Sequence, residues 1–431
     1  MLELGMDAEQ GPMVEYLNDL VRALVKGNRH VWKTFAVARL PPSHVYRDVD
    51  NLKNLTFHFH PEVAVAFGSR EEEIRTLQQQ FPNQNSSLPE ARKTYGGYKV
   101  EDTRFGNTFE VFNTASVVRY FETGLDKVYW SADSDVPFAS IFKITEVMRF
   151  LRSAILGYEV RIVYEEAMTY DKFASLKSAL DRAKKSKGDV VVEPVNVHLV
   201  VQYLFELGYF TLVSKHKQDI ILALPNVEVK NILISHFTAA VADLFGIRED
   251  HHEECLDAIL GLTGTQESQA KLIGSIADLF ARRRPLTTDD LLTPLVATVL
   301  NQYLVGPKVE IIVSGEQTPT LSKLVVLRTD EVANEHTGII IQAAVHGSSR
   351  EALNRTVAGR DFKTFFEMTK GSKAEGIKSD IVLVGLNFGE KKVSGSFMYS
   401  DGSDFKSSDI ECDVKSWGES KSAKSKMGLY I

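Results

Sequence analysis

Gly338-Ile339-Ile340-Ile341-Gln342-Ala343-Ala344-Val345 is the stretch whose reading decides the fold. It is short, nearly continuous in apolar residues and rich in β-branched ones. That is the signature of a strand covered on both faces of a sheet. A second apolar run, Leu324-Val325-Val326-Leu327, comes just before it. An amphipathic helix is expected over 350–368, and a third run, Asp380-Ile381-Val382-Leu383-Val384-Gly385, follows. Strand, strand, helix, strand predicts an α/β core with a crossover helix.

The rest of the composition is that of an ordinary folded chain. At 431 residues it is long enough for two or three domains. Apolar residues make up 44% and charged residues 25%, which fits a soluble protein. The net charge of −7 argues against a protein that coats nucleic acid over its whole surface, but leaves room for a local basic patch. Two cysteines, Cys255 and Cys412, do not make a disulfide framework and favour a reducing compartment. No apolar run approaches the roughly 18–20 residues of a membrane span. The first residues, Met1 to Asp7, are acidic and lack the layout of a signal peptide.

Taken in order, the chain opens with Val14, Leu17, Leu20, Val21 and Leu24 at helical spacing, with Pro12 in the first turn. Val31–Arg39 is expected to be a buried strand ended by Pro41-Pro42, and Leu55–Pro61 alternates as a second strand. Ser69, with Glu72 three residues on, predicts a capping box at a helix start. Further helices are expected over Thr145–Leu156, Tyr170–Lys187, Val227–Phe245, Glu253–Leu262, Ser268–Arg282 and Asp290–Leu304, with a strand over Glu159–Tyr164. Lys184, Lys185 and Lys187 before Gly188 read as a solvated helix end. Arg282-Arg283-Arg284-Pro285 marks a domain boundary. The Ser-, Lys- and Gly-rich tail is expected to be loosely ordered.

The order of several short motifs resembles the microbial proteins that join an AAA-ATPase-like domain to a PD-(D/E)XK nuclease domain. Phe67-Gly-Ser-Arg-Glu-Glu-Glu-Ile74, Thr94-Tyr-Gly-Gly-Tyr98, Asn113-Thr-Ala-Ser116, Tyr129-Trp130, Tyr203–Leu212 and Leu222–Val229 are similar to segments of the ATPase-like half. Val382-Leu-Val-Gly-Leu-Asn-Phe388 is similar to the last strand of the nuclease half. The resemblance implies a mixed α/β chain in four parts. These are an ATPase-like C-terminal portion over 1–190, a small winged-helix-like or helical connector over 191–284, a restriction-endonuclease-like αβββαβ core over 285–415, and a flexible tail over 416–431.

The family's chemistry does not carry over. Its metal-binding Asp position holds Lys323, its Glu-x-Lys reads Gln342-Ala343-Ala344, and Arg355 stands where its helix has Gln. Such a nuclease holds Mg²⁺ on carboxylates, and the ion polarises the phosphodiester and activates water. Lys323 puts a cation where the dication belongs, and Ala344 lacks the amine that would position water. Asp330 or Glu331 takes the acid's place if the strands are drawn differently. A P-loop needs Gly-Lys to wrap and neutralise phosphates, and no Gly-Lys pair occurs in the chain. No metal, nucleotide or other cofactor is therefore expected.

Other candidates have plainer readings. His251-His252-Glu253-Glu254-Cys255 suits a helix start better than a metal site, because adjacent histidines diverge. His58 and His60 share one face of the expected strand. Gly-x-Ser-x-Gly is absent, so nothing supports a serine hydrolase. Arg350, Arg355 and Arg360 lie along the expected helix as phosphate or nucleic-acid contacts, weighed against a solvated helix surface. The resulting expectation is a pseudonuclease that serves as a protein-binding module. The resemblance extends to Crinkler-type and other effectors and to toxin-like proteins that engage a host or cognate partner. The alternatives are an active metal-dependent nuclease with relocated acids such as Glu316 or Glu331, and an ATPase subunit that borrows a partner's P-loop.

Overall fold

The computed structural model describes residues 16, 19–20, 22–24 and 28–31, and then 55–81, 86–102, 107–130, 136–165, 170–185, 196–282, 287–305, 309–311, 323–330, 335–344, 347–358, 378–389, 392–400 and 405–414. The strand expected at Val31–Arg39, the tail from 416 and Arg283-Arg284 lie outside these residues. The fold is mixed α/β, with sheets of two, three and six strands. The chain divides into two compact units, Met1–Leu233 and Ile234–Ile431. Among the described residues no helix is long and apolar enough to cross a membrane.

Residues 16, 19–20 and 22–24 are helical, as their spacing suggested, and the first unit then runs through α1 (Pro61–Phe67), α2 (Glu71–Gln80), α3 (Leu88–Tyr95), the antiparallel pair β1 (Tyr98–Asp102) and β2 (Asn107–Val111), and α4 (Thr114–Thr123). Ile74, Ala91, Tyr95, Phe112, Val117, Tyr120 and Phe121 form its core. The helix ends follow local chemistry. Ser87 caps α3 by accepting the Glu90 N–H, and Asn113 caps α4 by accepting that of Ser116. Gly124, at φ 66°, stops α4 in the left-handed region.

Two expectations fail here. Leu55–His60 is a turn running into α1, not a strand. The Thr56 N–H donates to His60 Nδ1 at 2.9 Å, and Pro61 then supplies the fixed φ of a first helical turn. The cap of α2 sits one residue later than the motif suggested. Arg70 is the N-cap and donates its N–H to Glu73 at 2.7 Å. The Ser69 hydroxyl bonds Thr114 instead, and its backbone pairs with Phe112.

The unit continues through α5 (Phe138–Ile141), α6 (Thr145–Ile155), β3 (Val160–Val163), α7 (Tyr170–Lys185), α8 (Val197–Glu206), β4 (Thr211–His216) and β5 (Asp219–Ala223). The strands form an antiparallel sheet with β5 in the middle. The division between units falls within α9 (Val227–Phe245).

The second unit holds α10 (Glu249–Leu260), α11 (Gln266–Leu279), α12 (Thr288–Val305), β6 (Val309–Ile311), β7 (Lys323–Asp330), β8 (Glu335–Ala344), α13 (Ser349–Ala358), β9 (Lys378–Phe388), β10 (Lys392–Ser400) and β11 (Phe405–Asp413). Its strands run in the order β11-β10-β9-β8-β7-β6. Every neighbouring pair is antiparallel except β8 and β9, which are parallel. A parallel pair needs a crossover, and α13 lies within it. The opening run is β8, and Ile339, Ile340, Ile341, Ala343 and Ala344 are all buried. Val325, Ile340, Ile381 and Leu383 meet Leu353 and Val357 of α13 on one face. On the other face, Phe388 packs edge to face on Phe280 just past α11, and Gly395 lies against Ile273 of α11. Each fully buried Ile, Leu or Val adds about 1.5–3 kcal/mol relative to an exposed one.

Gly385 sets how closely α13 approaches. A Cβ built there would lie 2.1 Å from the Ser349 carbonyl oxygen and 2.4 Å from the Leu353 nitrogen. Gly385→Ala must lift the helix and should cost about 1–3 kcal/mol of stability. Gly274→Ala in α11, where nothing lies within 4 Å of the new methyl, should instead stabilise by about 0.5–1 kcal/mol. Urea unfolding of both variants checks the pair.

Candidate functional site

The register of the six-stranded sheet gathers the positions that the nuclease resemblance marked. Lys323 stands opposite Gln342, Gln342 opposite Gly385, Gly385 opposite Ser396, and Ser396 opposite Asp409. Cross-strand partners share a face, so these five residues form one row across the sheet on the side covered by α13. Ala344 and Asn387 belong to the next row on the same face, and the Asn387 amide donates to the Ala344 carbonyl at 3.1 Å. Ala344 is buried, while Lys323, Gln342 and Asn387 are half-buried.

The first turn of α13 meets this row. Ser349 and Ser396 hydroxyls lie 2.9 Å apart, and Ser396 donates to Asp409 Oδ1 at 2.5 Å. Arg350 donates to Asp409 Oδ2 at 2.9 Å. Its charge is thus engaged within the sheet, which weakens it as a phosphate contact. Arg355 is exposed on α13. Arg360, Glu316 and Glu331 lie outside the described residues, as does the side chain of Asp330. The row and the first turn of α13 together offer an ammonium, an amide and two hydroxyls, and the one carboxylate of the row already accepts from Arg350 and Ser396. Such a set donates hydrogen bonds to an anion and is ill suited to a dication. Among the described residues no three His, Cys, Asp or Glu side chains come together as a metal-holding group. His252 and Cys255 are buried in α10, and His252 Nδ1 lies 2.8 Å from the Thr298 hydroxyl.

A second convergence, within the first unit, was not expected from the sequence. Several of the short segments singled out in the first half of the sequence meet around Glu228, which is 1% exposed. Glu228 Oε1 accepts the N–H groups of both Tyr129 and Trp130 at 2.7 Å. Asn226 donates to the Gly96 carbonyl at 2.8 Å and caps α9 by accepting the Val229 N–H at 3.0 Å. Tyr95 donates its hydroxyl to the Lys127 carbonyl at 2.9 Å. Gly97, at φ 80°, passes so close to Pro225 that a Cβ would fall 2.0 Å from its carbonyl oxygen. Burial pushes the Glu228 carboxyl up, and the two N–H groups pull it back. This is a structural clamp that joins segments about a hundred residues apart. Glu228→Ala leaves two buried N–H groups without an acceptor and should cost about 2–4 kcal/mol. Glu228→Gln keeps an acceptor and should cost at most about 1 kcal/mol in the same unfolding assay.

Nearby, two titratable groups oppose each other. His58 is buried and stacks on Phe205 with ring centroids 4.0 Å apart. Burial lowers its pKa to about 4. Glu206 accepts the Tyr164 hydroxyl at 2.8 Å, and burial raises its pKa to about 7. The His58 contribution is present above its ordinary 6.5 and is lost as pH falls towards 4. The Glu206 contribution is present below its ordinary 4.5 and is lost as pH rises towards 7. Glu206→Gln should therefore gain on the wild type as pH climbs through that window, and His58→Gln should lose the acid-side decline. Thermal melts across the range check both signs, and pH profiles parallel to wild type would contradict them.

Searches of protein-family models, curated proteins and solved structures return no match for this chain.

Proposed function

We propose that the second unit is a PD-(D/E)XK-type core whose metal-holding groups have been replaced, and that the chain works as a binding module for a protein partner. One observation carries the reading. Lys323 and Gln342 sit side by side in the row that the first turn of the crossover helix meets at Gly385 and Ser396, with Ala344 one row on. In an active site of that type these three positions supply two metal ligands and the amine that positions water. Here they supply a cation, a neutral amide and a methyl group. The order α12, β6, β7, β8, α13, β9, with only β8 and β9 parallel, supports the αβββαβ reading. The meeting of the ATPase-like motifs at Glu228 supports a remnant of that domain without its phosphate loop. An effector or toxin-like role follows from the resemblance.

The first unit favours protein over nucleic acid as the partner. Helix, strand, helix, helix and hairpin over Thr145–Ala223 suggest a winged-helix-like element that begins well before the 191–284 implied by the resemblance. The third helix of such an element enters a DNA groove in proteins that read bases. Here that helix is α8, buried from Leu199 to Phe205. Little of it is left for a groove.

Calorimetry and a nuclease assay test the proposal together. The wild type should bind no Mn²⁺ at millimolar concentration and should leave DNA and RNA intact. The triple variant Lys323→Asp, Gln342→Glu, Ala344→Lys rebuilds the ligand set on the same row and should acquire Mn²⁺ binding. Wild-type cleavage that disappears on Glu316→Ala or Glu331→Ala would instead establish an active nuclease with relocated acids.

A further inference from the structure

The outer edge of β2, in the first unit, is built to accept another strand. The Phe112 N–H and C=O bond Ser69 on the side away from β1. Backbone groups alternate sides along a strand, so those of Glu110 and Thr108 point to that same outer side. Those of Val111, Phe109 and Asn107 then face Tyr98, Val100 and Asp102 of β1. Among the described residues no strand pairs with Glu110 or Thr108 on the outer side, and both are exposed. Among the described residues the edge therefore begins a ladder at Ser69 and leaves it unfinished.

A groove runs beside the unfinished stretch, and Pro61, Val65 and Phe109 give it apolar walls. Five carboxylates, Glu62, Glu71, Glu72, Asp102 and Glu110, line it as well. Of its two cations, Arg92 pairs with Glu71, and Arg70 lies over the Phe109 ring, 5.1 Å from its centroid. The groove is thus acidic along an open backbone edge. Strand addition draws its affinity from main-chain hydrogen bonds and its selectivity from alternate side chains. We propose that this edge binds an extended basic peptide segment of a partner protein, which adds as a third strand beside β2 and sets its Lys or Arg side chains against Glu62, Glu72 and Glu110. A second copy of this chain pairing β2 to β2 would bring like-charged Glu110 side chains together, which disfavours that occupant. The inference rests on the first unit alone and is independent of the nuclease-core reading.

The test uses the full chain and a fluorescein-labelled peptide of alternating Lys and Val, read by fluorescence anisotropy. Thr108→Pro removes an outward N–H and leaves the bonds to β1 in place, since edge strands tolerate proline. It should weaken binding at least tenfold with an unchanged circular dichroism spectrum. Glu110→Lys should weaken it in the same direction, and added salt should do so for the wild type. A Glu/Val peptide, or the Lys/Val peptide N-methylated at alternate amides, should not bind. The proposal is overturned if the wild type does not bind the Lys/Val peptide. It is also overturned if Thr108→Pro and Glu110→Lys bind it as tightly as wild type, or if the edge proves to be closed by concentration-dependent self-association that Thr108→Pro abolishes.

Discussion

A strand that shows no face to water has to be paired along both edges and covered on both sides, because each unmet backbone group in such a place costs about as much as a lost hydrogen bond. Residues Ile339–Ala344 of β8 impose that condition on the second unit. Antiparallel β7 and parallel β9 satisfy the two edges. The parallel neighbour obliges the chain to cross over, and the crossover lays α13 on one face. Helices α11 and α12 close the other. The approach of α13 is limited by backbone meeting backbone at Gly385, so the place where its first turn touches the sheet is set. That turn meets the polar row at Gly385 and Ser396, and Arg350 reaches along it to Asp409. The architecture therefore determines where the helix meets the sheet, and the side chains in the row determine which groups are presented there.

The first unit solves a different problem with a different device. Its segments are short, its sheets are small, and no single strand organises them. A buried carboxylate takes that role at Glu228. A neutral acceptor could hold the Tyr129 and Trp130 N–H groups, but a carboxylate holds them more strongly in a place where water is excluded. The cost of burying its charge is offset in part by those two bonds. The tyrosines around it, Tyr95 and Tyr98, have hydroxyls held firmly in the protonated form by the same burial. Every bond named here ties one chain segment to another, which is the work of a fastening.

The parts of this molecule that could be read from the sequence are those with a local cause. The β8 run, the long helices at Val227–Phe245 and Thr288–Val305, and the helical spacing of α6 all announce themselves within a dozen residues. The turn at Leu55–His60 misled because Leu55, Phe57 and Phe59 alternate with polar Thr56, His58 and His60, while the rings of Phe57, His58 and Phe59 are drawn towards Tyr98, Phe205 and Tyr164. A strand pattern and an aromatic knot look alike at that length. The positions of Lys323 and Gln342 were legible as motif departures, but only the register shows that they are neighbours. The partners of Arg350 and Glu228 were not legible at all. Asp409 lies 59 residues from Arg350, and Tyr129 lies 99 from Glu228. Proximity across such separations is a product of the finished fold, and no local periodicity encodes it.

The last strand of the large sheet has a further consequence. β11 is outermost, and exposed Lys406, Asp409 and Glu411 recur along it. Asp409 and Glu411 are held there by Arg350 and Lys392. A stray chain seeking to template fibril growth on β11 would have to strip hydration from those ion pairs before gaining its first ladder bonds. Charges along this edge thus oppose the addition of a foreign strand to β11, and high ionic strength is the condition that would weaken that opposition.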